Sequence, residues 1–315
     1  MNIKHVCKCF LLLFLLLSLT VTAVGCMTTE SAGTIITKTH EITQDFTAIS
    51  VGCSECNISI LPSTGNGVTV VCKEREKYPH QVSVKDGCLT VEEPNRTGLI
   101  NIFSLASEHT EVLVYVPFEV AAGCSISLES ASGDITLDKE FVFVRGDLES
   151  ASGAVTCAAS FNGELSVDVA SGDVFLSGST YSDIEIDAAS GNITLEGLTD
   201  AEEIGLECAS GNILLNKVQC KSLDAETASG KLTLEHVIAQ KKLSGETVSS
   251  TITLSHCDAG EYDLESASGD ILGSILRPMR FIADSASGRI DVPNTDGEPC
   301  RLTTASGNIT ITIEE

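Results

Sequence analysis

Nine carboxylates recur at intervals of 19 or 20 residues: Glu129, Glu149, Asp168, Asp187, Glu207, Glu226, Glu246, Glu265 and Asp284. A row of this kind is suited to bridging divalent cations or docking a basic partner. Acid–base catalysis is a poorer match, because it needs carboxylates whose surroundings push their pKa values apart, and a repeat gives each copy the same surroundings. Calcium takes roughly six to eight oxygens, often from converging loops, and a flat row offers fewer. The expectation is weak Ca²⁺ binding at most, with no other cofactor and no firm metal site.

The other reactive residues are less suggestive. A serine also recurs, at Ser132, Ser152, Ser171, Ser190, Ser210, Ser229, Ser249, Ser268, Ser287 and Ser306, but no His or Lys recurs beside it, so it is not a nucleophile set. Arg145-Gly146-Asp147 spells a cell-attachment tripeptide in a chain rich in Gly and Asp, where chance supplies such triplets. A threonine column (Thr136, Thr156, Thr194, Thr233, Thr253, Thr310) fits an exposed strand face. The histidines are scattered, and surface or loop positions are expected for them. Cys53-x-x-Cys56 has no second pair nearby at a zinc spacing. It is flanked by Ile49, Val51, Ile58 and Ile60, the apolar spacing found around each acidic residue, so it reads as an early, degenerate copy of the same unit.

The acidic residues are positioned by that unit. Each precedes by four the Gly of an Ala-Ser-Gly signature, at Gly133, Gly153, Gly172, Gly191, Gly211, Gly230, Gly269 and Gly288, with Val248-Ser249-Ser250 as a worn copy; the Gly307 copy has Thr303 instead. Two residues after the Gly is always apolar (Ile135, Val155, Val174, Ile193 and onward), as four after nearly always is, Gly273 excepted. Five before is apolar too, except Gly245. Alternation over short runs specifies strands with one buried face. A further inward position, seven after the Gly (Leu198, Val218, Val237, Cys257, Leu276), suggests a third side. A fixed short period marks a stacked array whose units touch only their neighbours. The fold class expected is all-β: a single-stranded β-solenoid, or β-helix, of 19–20-residue coils, the carboxylates lined up ~4.8 Å apart. The signature Gly is expected to serve the turn by its backbone freedom, and the Ser to bond its own turn or the next Ser.

The chain is strongly acidic, with a formal net charge of −25. That argues against nucleic acid and against direct docking on anionic lipid. Residues 1–25 read as an export leader: Lys4 and Lys8, an apolar run from Phe10 to Leu19, then small residues up to Cys26. Ala23-Val24-Gly25-Cys26 resembles a bacterial lipobox, which implies lipidation of Cys26; an ordinary signal peptide and an uncleaved anchor are the alternatives. Residues 26–45 read as a flexible tether, 46–123 as an irregular N-terminal β region or cap, and 124–315 as the solenoid. Ten cysteines follow Cys26. Exported proteins often pair theirs, but Cys157, Cys208 and Cys300 fall at inward positions, where Cys serves as a small apolar side chain, and free buried thiols are the expectation for the set. Two acidic residues, Glu314 and Glu315, are expected to blunt the far edge.

The lipobox-like start, the Leu113-Val114-Tyr115-Val116-Pro117 strand end and the train of Ser-Ala-Ser-Gly-Asp-Ile-Thr-Leu units together resemble the "putative adhesin" family of bacterial envelope proteins, β-strand-repeat domains of unknown function. The resemblance spans about residues 40 to 315. It implies a right-handed β-helix at the cell surface and brings no catalytic residues; some relatives are linked to envelope-stress systems. The expected function is that of a non-enzymatic, lipid-anchored, extracytoplasmic module. It would present a rigid acidic surface to a glycan, matrix or envelope protein. An accessory role in envelope-stress sensing is the alternative. A polysaccharide-active enzyme fits less well, because copies so equal in length leave no room for inserted catalytic loops.

Overall fold

The computed structural model describes residues 34–94, 110–178 and 182–314. The signature copies stack as successive coils of a β-solenoid. In each coil one strand enters the corner and a second leaves it. The entering strands form one parallel ladder, through Leu148↔Leu128, Leu148↔Val167, Val167↔Ile186 and Ile186↔Leu206. The leaving strands form another, through Cys157↔Leu137, Cys157↔Leu176 and Leu176↔Leu195. Inward side chains of both ladders fill one continuous core. The third inward column holds at Leu198, Val218, Val237 and Cys257, all buried. It fails at Leu276, which is 43% exposed, because a register shift after Leu254 pairs Cys257 with Ile275 instead. Three glycines stand in inward columns, Gly146 beside Ile126 and Leu165 as well as Gly245 and Gly273, and each has a local cause; at Gly273 a Cβ would overlap the Leu254 carbonyl. A Cβ at Gly146 would meet the Phe161 ring, and one at Gly245 would press on Leu232 and Leu264.

The corner itself is built differently from the expectation. Most signature glycines do not occupy the left-handed region; Gly191, at φ 135°, does. What they share is lack of room. A Cβ on Gly153 would overlap the Gly133 carbonyl, and one on Gly211 would overlap that of Gly191. Beneath each Gly, the residue three earlier points inward, and where it is Ser or Thr its hydroxyl can bond both ways. The Gly133 N–H donates to Ser130 Oγ at 2.9 Å, and that hydroxyl donates to the Cys56 carbonyl of the adjacent coil at 3.0 Å. Thr227 and Thr304 repeat the pattern with Gly230 and Gly307 at 3.1 and 3.0 Å. Each such bond contributes about 1 kcal/mol net, and leaving the buried groups unpaired would cost more. The recurrent Ser beside the Gly stays outside and donates across coils, Ser268 Oγ to the Val248 carbonyl at 3.2 Å. A third ladder runs through the residue just after the Gly: Asp134 Oδ1 accepts the Ala154 N–H at 2.8 Å, and Asn192 Oδ1 accepts the Asn212 N–H at 3.2 Å.

At the N-terminal end the strands are β1 (Ile35–Ile42), β2 (Ala48–Cys53), β3 (Cys56–Pro62), β4 (Val68–Arg75), β5 (Gln81–Lys85), β6 (Cys88–Glu92) and β7 (Thr110–Val116), followed by a short helix α1 (Phe118–Ala121). β2 and β3 make a coil that pairs in parallel with the first signature coil. Its outer neighbours are β6 and β7, which follow it in sequence. Beyond them the chain turns antiparallel: β4 on β7, β1 on β4, and β5 on β6. Residues 35–42 are therefore not tether. Their alternating side chains pair with β4 along its whole length, and Ile36 and Ile42 are half-buried. Cys53 and Cys56 occupy a corner, as expected, but they form a disulfide rather than free thiols. Cys53 takes the place of Ser130 and Cys56 the place of the Gly, so a covalent bond stands where the hydroxyl bond stands elsewhere. Cys157, Cys208 and Cys300 are free and buried.

The far end is also out of sequence order. Pro299–Thr304 and Ile309–Ile313 insert between the Gly269 coil and the coil made by Arg280–Ser285 and Ile290–Asp291. The exposed edge is thus the Gly288 coil, not the strand Ile309–Ile313 that leads to Glu314. That edge is blunted by the brevity of Ile290–Asp291 and by Arg280 and Arg289, the latter paired with Asp291 at 3.0 Å.

Gly211→Ala should cost at least about 3 kcal/mol in urea unfolding, since the clash is with backbone that cannot move aside. Gly205→Ala, whose methyl would find only the Ile184 carbonyl at 3.9 Å, should stay within about 1 kcal/mol of wild type. Equal costs would show that the corner contact is not the constraint.

Candidate functional site

The entering strands bring the predicted carboxylates into one row, residue on residue. Glu129 pairs with Glu149, Glu149 with Asp168, Asp168 with Asp187, and Asp187 with Glu207. Glu226, Glu246 and Glu265 continue it. Asp284 does not join, because the inserted strand places Thr303 between it and Glu265. At the other end Gly52 follows Glu129. The row points outward because the residues on either side in each strand point into the core. Neighbouring carboxylates at ~4.8 Å repel by ~0.9 kcal/mol in bulk water before salt screening.

Two columns away lie Asp147, Glu185, Asp224 and Asp263, carboxylates on alternate coils that widen the acidic face. They escaped the sequence reading because Ser166, Gly205 and Ser244 interrupt the column. Cations enter at its margin: Lys242 holds Asp263 at 3.0 Å, Lys221 pairs with Glu202, and Arg301 with Glu261. Arg145 and Asp147 of the attachment-like triplet line a shallow depression of about 440 Å³ with Ser127, Glu164 and Ser166. Gly146 between them is a core position that makes way for Phe161. Two histidines expected as scattered, His236 and His256, stack on adjacent coils with ring centres 4.8 Å apart. Cys26 lies outside the described residues.

Crowding alters the acids themselves. Burial among neighbouring strands raises Asp187 to about 6, helped by the charges of Glu207, Asp168 and Glu185. Glu149 is raised by burial first, then by Asp147, Glu129 and Asp168; Asp168 is raised by burial and by Asp147.

The coil geometry has known counterparts. Residues 46–312 match the family described as Toastrack DUF4097. The chain belongs to that family. Among solved structures, the Toastrack solenoid is similar to a "putative adhesin" from Parabacteroides merdae, at 15% identity and a TM-score of 0.53, over 78% of this chain and 97% of the other. It is also similar to a "putative adhesin" from Parabacteroides distasonis, at 12% identity and a TM-score of 0.51, over 89% of this chain and 98% of the other. At such identities the likeness establishes the shared fold. No curated protein matches the chain. The expected all-β solenoid and the family resemblance are both borne out.

A carboxyl raised in the folded state is stabilising while protonated and loses that stability as pH rises through its folded pKa. The Toastrack domain should therefore melt higher at about pH 5 than at about pH 7.5. Asp187→Asn should raise the melting temperature at about pH 7.5 and change little near pH 4, where Asp187 is already neutral. An equal effect at both pH values, followed by circular dichroism, would show that charge in the row is not the cause.

Proposed function

We propose that this chain is a non-enzymatic, adhesin-like surface module. It is exported, anchored to the membrane through lipid on Cys26, and displayed outside the cytoplasm. Its acidic face binds a basic surface on a matrix, glycan-bearing or envelope protein. The observation that carries the reading is the in-register row from Glu129 to Glu265 on an exposed strand face. Like charges held this close oppose folding, and a basic partner or a divalent cation relieves them. The equivalence of the positions supports binding over catalysis: the rise at Asp187 comes from burial and like neighbours, with no distinct partner to make it one half of an acid–base pair. The family assignment and the solenoid support the module's shape; the choice of partner rests on the row. Weak Ca²⁺ binding belongs to the same reading, with carboxylates of adjacent coils as ligands.

The combined variant Asp168→Asn, Asp187→Asn, Glu207→Gln and Glu226→Gln should bind intact cells and immobilised basic protein at least about tenfold more weakly than wild type at physiological salt. Arg145→Ala should bind as wild type does. Binding that survives neutralisation of the row would refute the proposal. Millimolar Ca²⁺ should raise the melting temperature beyond a sodium control of equal ionic strength, and equal melting would dismiss the cation part alone.

A further inference from the structure

The cap contains a buried polar cluster that the acidic face does not use. In β4, Cys72 and Glu74 alternate, so both point to the same inward side, and both are fully buried. The turn after β4 is fixed by the Tyr78 N–H to the Arg75 carbonyl at 2.9 Å, and it returns the chain over Glu74. His80, which the sequence places at the surface or in a loop, is only 6% exposed. Its backbone N–H donates to Glu74 Oε2 at 2.6 Å, and its Nδ1 lies 3.0 Å from the same oxygen. One ligand-type atom from each of Cys72, Glu74 and His80 lies within 4.8 Å of the other two.

Two groups in the cluster are incompletely satisfied. Glu74 Oε1 faces Lys38 Nζ at 3.0 Å as an ion pair but lacks a hydrogen bond of good angle. His80 Nε2 is buried and has no hydrogen-bond partner, while Nδ1 faces Glu74 Oε2. With the ring proton moved to Nε2, the Nδ1 lone pair faces a cation shared with Glu74 and Cys72; a cation on Nε2 would lie on the far side of the ring from the carboxylate. The carboxylate behaves as an anion here: despite burial, the His80 N–H, Lys38 and the His80 ring together hold it below its usual range.

We propose that Cys72, Glu74 and His80 form a binding site for a zinc-class divalent cation, with thiolate, carboxylate and imidazole as its protein ligands. The donor set selects the ion. Zinc accepts sulfur, nitrogen and oxygen together in a tetrahedral shell, and three protein ligands leave its fourth position open. Calcium and magnesium want oxygen alone. Binding replaces the proton on the Cys72 sulfur, which leaves to solvent. The thiolate and the carboxylate then balance the dication, and the ammonium of Lys38, whose side chain is 41% exposed, turns to water. The ion ties the turn at residues 76–80 to β4, where the antiparallel strands close the stack. This site is independent of the acidic face and of the Cys53–Cys56 pair.

The test uses the metal-stripped full chain, titrated with Co²⁺ and followed by absorbance, then with Zn²⁺ and followed by thermal melting. One equivalent of Co²⁺ should produce a thiolate-to-cobalt charge-transfer band that Zn²⁺ displaces, and Zn²⁺ should raise the melting temperature. Cys72→Ser should abolish the band, and His80→Gln should weaken Zn²⁺ binding at least about tenfold. Cys88→Ser, a cap thiol outside the cluster, should leave both unchanged. Folded wild-type protein that shows no charge-transfer band would overturn the proposal without recourse to any variant, as would a Cys72→Ser protein that keeps the band.

Discussion

Backbone lies on backbone at the corners of this solenoid, and Ser250 and Cys56 are the corner residues that carry a Cβ in the Gly slot. At the signature glycines, the carbonyl of the corner residue in the adjacent coil occupies the space where a Cβ would stand. This contact fixes the vertical spacing at one point per coil. The bonds around it fix the rest. At corners such as Gly133, Gly230 and Gly307 an inward hydroxyl ties the Gly N–H to the neighbouring carbonyl, and an Asx oxygen outside receives the next coil's N–H. With three ladders converging on one corner, a slip of register would break all of them at once. The Cys53–Cys56 disulfide occupies the same two positions in the β2–β3 corner, a covalent solution to the same local problem.

Strict register has an electrostatic cost. Side chains that repeat in sequence repeat in space, so carboxylates four residues before each Gly face their own kind along the stack. A looser fold would let them splay. Here the core-facing neighbours on either side, such as Val167 and Val169 beside Asp168, hold them in line. Burial and the charges of Glu207, Asp168 and Glu185 raise the pKa of Asp187 in consequence. The acidic face is thus strained by charge and flat, which suits a surface that binds better than one that reacts.

Much of this was legible in the chain. The period, the inward columns at Leu137, Leu176 and Leu195, and the acidic row all follow from alternation and spacing, because a solenoid coil is a local object. The inward hydroxyls were harder to see, since Ser130, Val169, Ala188 and Cys208 share one position and only some of them can bond. The role of Gly differs from the expected backbone freedom because sequence shows a missing Cβ but not what fills its place. The order of the coils could not be read at all. Every coil offers the same columns, so inserting Pro299–Ile313 one place inward leaves the pattern of buried and exposed residues intact. His80 escaped for a related reason: its burial depends on a single turn in the non-repeating cap, where no periodicity marks the inside.

The insertion of the last coil changes how the molecule bears force. A pull applied at Ile313 reaches a strand flanked on both sides, by Ile271–Ile275 and by Ile290–Asp291. Because these strands run parallel, the load falls along their length and is shared by rows of hydrogen bonds acting together. A strand on an open rim would instead peel away one bond at a time. At the near end the first described strand, β1, pairs with β4 alone and antiparallel, and behind it β2 and β3 are sandwiched between later segments. Traction from the far end therefore meets a bolt at once, and traction from the near end meets one only after β1 has given way.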